Sequence, residues 1–123
     1  MRVLTCAPEV AALREALREL AVASDGKSHR TWAVLGDVPG ASREELMDLG
    51  RFLVRLDITF LVVVGAAGPV HAGAVLEGSW GDESRHVVDA EQAVTLLRED
   101  LHDDDVVLVA GVPAVLSALG DPA

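Results

Sequence analysis

The run Phe60-Leu61-Val62-Val63-Val64, stopped by Gly65, constrains the fold more than any other stretch of the chain. It is apolar throughout and rich in valine, without the alternation a half-exposed strand would show. Such a run suits a strand buried on both faces. A strand covered above and below needs helices on both sides of its sheet, and helical crossovers make the sheet parallel. The rest of the chain obeys this demand. Arg2 to Cys6, Thr31 to Leu35, Arg85 to Val88 and Val106 to Val109 read as further strands. Between them apolar residues recur at helical spacing: Val10, Leu13, Leu17 and Leu20, then Leu46, Leu49, Leu53 and Leu56, then Ala93, Leu96, Leu97 and Leu101. Shorter helices are expected over Pro69 to Leu76 and Pro113 to Leu119. The expected fold is α/β, a Rossmann-like three-layer sandwich with a mainly parallel sheet of about five or six strands. It is read as one domain spanning 1–123.

Local chemistry sets the expected boundaries. Pro8 suits a first helical position and Glu9 complements a helix amino terminus. Gly26 is placed to end that helix in a left-handed conformation. Ser42 with Glu45, three residues on, forms a capping box, and Asp89 with Gln92 caps a later helix in the same spacing. Asp103, Asp104 and Asp105 read as a solvated acidic turn, since three consecutive residues do not converge on one magnesium ion without a special loop.

Ala21 to Ser28, AVASDGKS, has the letter pattern of a relaxed phosphate loop. A working phosphate loop follows a strand and opens a helix, so that backbone N–H groups face the phosphates. Here the stretch ends a helix and leads into a strand. Lys27 and Ser28 therefore read as a solvated loop. Gly65-Ala66-Ala67-Gly68 likewise lacks the spacing of a dinucleotide loop and reads as a tight turn.

Charge narrows the partners. Acidic residues number 20 against 10 basic ones, a formal net charge of −10. Nucleic acid and anionic membrane surfaces demand clustered lysine and arginine, so neither is an expected partner. Cys6, the single cysteine, permits no internal disulfide and reads as packing. The four histidines, His29, His71, His86 and His102, are scattered, and no metal site is expected from their spacing. No secretory signal is evident at the amino terminus, and a soluble, cytoplasmic protein is the expectation.

In open parallel sheets, ligands bind beyond the carboxyl ends of the strands. Those ends place Glu9, Gly36, Asp37, Gly65 and Gly111 as candidate ligand-binding residues. Asp37 stands out, because a carboxylate there can accept from a hydroxyl or an ammonium; the alternative role is capping or forming the turn before Pro39-Gly40. No catalytic residue is assigned.

The segments RTWAVLGDV, GRFLVRLDITFLVVVGAAG, HAGAVLEGSWG and DAEQAVTLLREDLHDDDVVLVAG, in that order, resemble the C-terminal domain of the Mur ligases, nearest to the MurF type. The likeness runs from about Pro8 to Gly111. It implies one part of a three-domain ligase, whose central domain carries the phosphate loop and activates a carboxylate as acyl phosphate. The C-terminal domain closes over that site, helps hold the nucleotide and positions the incoming amine by orientation and charge. The family's opening loop, Asn-Ala-Asn-Pro-Asp-Ser, is here Thr5-Cys6-Ala7-Pro8-Glu9-Val10. Its Gly-Asp-Met loop survives as Gly36-Asp37-Val38, and the following Glu-Leu-Gly becomes Gly40-Ala41-Ser42. A histidine often seen in the next helix falls near Met47, and the Lys-Gly-Ser after the last strand becomes Ala110-Gly111-Val112. Apolar positions persist while polar site positions are lost.

The expectation is a stand-alone binding or interaction module without independent catalysis, with a ligase-type protein carrying the central ATPase domain as its partner. ATP and magnesium would enter only through that partner. The alternative is a fragment or separate subunit of an ATP-dependent amide ligase in peptidoglycan-precursor synthesis, with Glu9 and Asp37 holding the ammonium of an amino acid or dipeptide. A small-molecule sensor using the same strand ends is the third reading.

Overall fold

The computed structural model describes residues 1–120. Five strands form one parallel sheet: β1 (Arg2–Thr5), β2 (Thr31–Leu35), β3 (Phe60–Val64), β4 (Ser84–Val87) and β5 (Val106–Ala110). Their spatial order is β1-β5-β2-β3-β4, and all four neighbouring pairs run parallel. The helices are α1 (Val10–Ala23), α2 (Arg43–Arg55), α3 (Gly68–Leu76), α4 (Ala90–Asp100) and α5 (Pro113–Leu119). The α/β class and the parallel sheet expected from sequence are both present. The last three residues of the expected domain lie outside the described part.

The order of the strands explains the layers. From β1 through β4 the chain advances in one direction, then returns to insert β5 between β1 and β2. The forward crossovers α1, α2 and α3 pack on one face, the returning α4 and the final α5 on the other. Each central strand splits its side chains accordingly. Ala33 and Leu35 of β2, Leu61 and Val63 of β3, and Leu108 of β5 meet the α1–α3 layer. Trp32 and Val34, Val62 and Val64, and Val107 and Val109 meet the α4–α5 layer. The period-two alternation of a strand thus feeds two apolar cores, which is why these runs are apolar apart from Thr31 at the start of β2.

The α2–α3 contact is unusually close. A Cβ on Gly50 would overlap the carbonyl oxygen of Val70, and one on Gly73 that of Met47. Only glycine admits this approach of two backbones.

Strand and helix ends shift by a residue at β1, β4, β5 and α3, and both ends of α1 depart from expectation. Helix α1 begins at Val10, with Glu9 as an extended N-cap whose side chain makes no capping bond, so Pro8 stands outside the helix. The Glu9 amide bonds back to the Ala7 carbonyl at 2.8 Å, a tight turn around Pro8 that delays the helix. At its other end α1 is capped by Ser24, before Gly26 is reached. Asp25, Gly26 and Lys27 then take left-handed conformations in succession. The capping box of Ser42 and Glu45 forms as expected, with reciprocal bonds of 3.1 and 3.0 Å. At α4 the Asp89 carboxylate accepts from the Gln92 amide, and the Gln92 side chain reaches back to the Val88 amide.

Candidate functional site

At the carboxyl edge of the sheet, neighbouring connections part around β5. The chain leaves β5 for α5 on one face, while it leaves β1 and β2 for α1 and α2 on the other. Such a parting of loops is where open α/β sheets hold ligands.

Gly36, Asp37 and Gly111 meet at this parting. The Gly36 amide donates to the Ala110 carbonyl at 2.8 Å. A Cβ on Gly36 would overlap the Gly111 carbonyl, and one on Gly111, whose φ is +74°, would overlap the Asp37 carbonyl. The two glycines therefore let the β2 and β5 loops touch backbone to backbone. Asp37 is left at the surface, exposed, and its carboxylate has no hydrogen bond or ion pair among the described residues. Ser42 caps α2, and the turn at Pro39-Gly40 closes through the Ala41 amide and Val38 carbonyl. Neither the capping nor the turn role once open to Asp37 is filled by its side chain.

Two hollows flank this contact. One, of about 420 Å³, is walled by Asp37, Val38, Pro39, Leu46, Ala66 and Ala67. The other, of about 210 Å³, lies between β1 and β5 and includes Cys6, Pro8, Val112, Pro113 and Leu116. Asp37 belongs to the first and Gly111 to the second. Glu9 is exposed and walls neither. Gly65 stands at the β4 side, its carbonyl accepting from His86 Nε2 at 2.7 Å, and it starts the 3₁₀ turn Gly65–Ala67 that supplies Ala66 and Ala67. Of the five expected residues the structure thus joins three, sets Gly65 behind one wall, and leaves Glu9 apart. The apolar wall residues carry no distinguishing chemistry in sequence; apart from Leu46 and Leu116, which come from α2 and α5, their only signal is position, one to four residues past a strand end.

The electrostatics of this edge are one-sided. Residues 5–9, 36–41, 65–69 and 110–113 include Glu9 and Asp37 and no lysine, arginine or histidine. Burial pushes the Cys6 thiol up, and the charge of Glu19 pushes it further, so it is a protonated packing group at neutral pH rather than a nucleophile. Among the described residues no cluster of three or more histidine, cysteine or acidic side chains is placed to hold a metal. No helix there is long and apolar enough to cross a membrane.

The opposite, amino edge carries the charge chemistry. Asp105, only 2% exposed, receives Arg30 through two bonds of 3.0 and 2.7 Å, Trp32 Nε1 at 2.8 Å and the His102 amide at 2.9 Å. This corrects the reading of residues 103–105 as a solvated turn: Asp103 and Asp104 are exposed, but Asp105 sits under the sheet as the anchor of a polar network. Burial pushes its carboxyl up, yet Arg30, the His102 amide and Trp32 together outweigh that and hold it below the usual carboxylate range. Lys27 also lies at this edge, its ammonium bonded to the Asp57 carbonyl at 2.8 Å. The AVASDGKS stretch is thus at the end of the sheet away from the parting loops, as its flanks predicted.

The parallel sheet, the reversal of strand order at β5 and the glycine contact define a doubly wound, Rossmann-like α/β domain. The profile of the Mur ligase glutamate ligase domain matches residues 3–112, and the chain belongs to that family. It is 39% identical over 126 residues to the UDP-N-acetylmuramoyl-tripeptide–D-alanyl-D-alanine ligase of Mycobacterium leprae, covering 89% of this chain and 24% of that enzyme. It is also 39% identical over 114 residues to the ligase of the same name from Mycobacterium tuberculosis, covering 75% and 22%. The chain therefore spans under a quarter of the length of these relatives. No solved structure gave a significant match.

Proposed function

We propose that this domain acts without catalysis of its own, as a binding module whose carboxyl edge docks against a ligase-type protein carrying the ATPase domain. One observation carries the reading: the strand-end loops of the edge where such a sheet binds ligands border two hollows, present two carboxylates with no bond among the described residues, and contain no lysine, arginine or histidine. Side chains that neutralise phosphate are missing from those loops, with Arg43 of α2 just beyond them, so a nucleotide would be held chiefly by the partner. Its thiol is protonated and half-buried, which leaves it without a nucleophile. ATP and magnesium belong, on this account, to the partner's ATPase domain, in a cytoplasmic setting.

Calorimetry with ATP and magnesium tests the reading. The isolated chain is expected to show no saturable heat up to millimolar nucleotide and to release no phosphate. Saturable binding, or phosphate release by the chain alone, contradicts it.

A second reading has a specific observation behind it. Asp37 presents a free carboxylate at the mouth of a hollow wide enough for an amino acid or dipeptide. As a separate subunit of an amide ligase, the domain would use Asp37 to hold the incoming ammonium. In a mixture reconstituted with an ATPase-bearing chain, Asp37→Ala then lowers amide formation at limiting amine; unchanged turnover removes Asp37 from the site.

A further inference from the structure

Behind the Ala66–Ala67 wall lies a polar chain that neither the docking reading nor the sequence patterns account for. Strand β4 points Ser84 and His86 toward the α3 layer, two residues apart on one face. His71, one turn into α3, shares a 2.6 Å hydrogen bond between its Nδ1 and the Ser84 hydroxyl. His86 donates from Nε2 to the Gly65 carbonyl at 2.7 Å. The two imidazole centroids are 6.2 Å apart. A Cβ on Gly68 would lie only 2.9 Å from His86 Cε1, so the ring rests directly on the start of α3. Edge strand, helix and 3₁₀ turn are thereby tied by two titratable rings.

We infer that His71 and His86 form a proton-sensitive latch on the Gly65–Ala67 wall of the Asp37 hollow. With both rings neutral, His86 holds the Gly65 carbonyl and the wall is fixed. A proton on His86 does not break that bond, because Nε2–H donates in either state. Its charge then opposes a second proton on half-buried His71. Once His71 ionises, its Nδ1 carries a proton and donates to Ser84, and two imidazoliums face each other with their centroids 6.2 Å apart. His86 is the ring free to leave, since solvent lies on its outer side. Its departure releases the Gly65 carbonyl and loosens Ala66 and Ala67.

Among the described residues no carboxylate is hydrogen-bonded or ion-paired to either ring. Strand β3 and the turn contain no titratable side chain, and α3 contributes only His71. On β4, Arg85 pairs with Asp100. Helix α2 pairs its Arg51 with its own Asp48 and its Arg55 with Glu77, just past α3. Exposed Asp82 and Glu83 precede β4 and Asp89 follows it; Glu83 and Asp89 serve as caps for the Trp80 and Gln92 amides. Burial, and then the charge of His86, hold the His71 imidazole below its ordinary value, in keeping with this geometry.

The latch rests on the docking reading only for its use, so its test is independent of any partner. The full chain, isotope-labelled, is followed by NMR from pH 8 to the acid limit of its fold. His71 is expected to titrate below free imidazole, and the Ala66 and Ala67 amides to shift with the His71 step while β5 amides stay in place. In His86→Gln, which keeps a donor near the Gly65 carbonyl but carries no charge, the His71 midpoint is expected to rise toward that of free imidazole. A His71 midpoint unmoved by His86→Gln, or Ala66 and Ala67 amides silent through the His71 step, overturns the latch. Failure of docking with this titration intact would overturn the docking reading alone.

Discussion

The two ends of the sheet are built on different principles. The amino end is closed by charge: Asp105 satisfies three neighbours at once, and Arg30 adds a 2.7 Å bond to the Asp100 carbonyl while lying over the rings of Trp32 and Phe60. Thr31 and Thr59 exchange further bonds beside it, each backbone amide donating to the other's hydroxyl. The carboxyl end has none of this. It is joined by two glycines in backbone contact, and Asp37 and Glu9 face solvent with no side-chain bond among the described residues. The comparison teaches that cohesion and recognition are segregated: groups that stabilise are consumed at one end, and the end left open is the one where this topology binds ligands.

The largest expected effect breaks the closed end. Asp105→Ala strands Arg30, the Trp32 indole and the His102 amide together, and should cost about 3 kcal/mol in urea unfolding, within the range for removing one partner of a buried pair. A loss under about 1 kcal/mol would remove the network from its anchoring role. Next comes the open end's one rigid element. Gly36→Ala forces the β2 and β5 loops apart and should cost about 2 kcal/mol, as overpacking does. It should also reduce any binding at the adjoining hollows, whereas Asp105→Ala should leave binding per folded molecule intact.

Acid should weaken the closed end in a defined window. A carboxyl held below its unfolded value contributes stability that is fully present above the unfolded value, about 3.9, and is lost as pH falls through the folded one. Stability of the wild type should therefore drop below about pH 4 more steeply than that of Asp105→Asn. Parallel slopes would contradict the assignment. The smallest effect sharpens the contrast from the other side. Asp37→Ala and Glu9→Ala should change stability by no more than about 0.5 kcal/mol, because each carboxylate is exposed and unbonded. Their consequence should be confined to binding.

The open end was far more legible in sequence than the closed one. Strand ends are found by where apolar runs stop, and Gly36, Asp37 and Gly111 are set together simply by the order in which β2 and β5 lie side by side. Asp105 was misread because nothing in three consecutive aspartates says which one the strand pulls under the sheet. Its partners Arg30 and Trp32 lie some seventy residues earlier, and only the insertion of β5 beside β2 brings them near. The same holds for His71 and Ser84, or His86 and Gly65: single residues, 13 and 21 apart in the chain, brought together by the packing of α3 and the β3–β4 register, which periodicity does not encode. Helix starts were legible where a side chain caps, at Ser42 and Asp89, and shifted where a backbone turn decides, at Pro8.

The claim that the carboxyl edge is the docking face is tested most directly by mapping amide shifts of the labelled chain. The partner would be a D-alanyl-D-alanine-adding ligase from which the segment matching this chain has been removed. The account predicts shifts confined to residues 5–9, 36–41, 65–67 and 110–113, with Arg30, His102 and Asp105 unmoved. Shifts centred on the Asp105 network, or no shift at saturating partner, would contradict it.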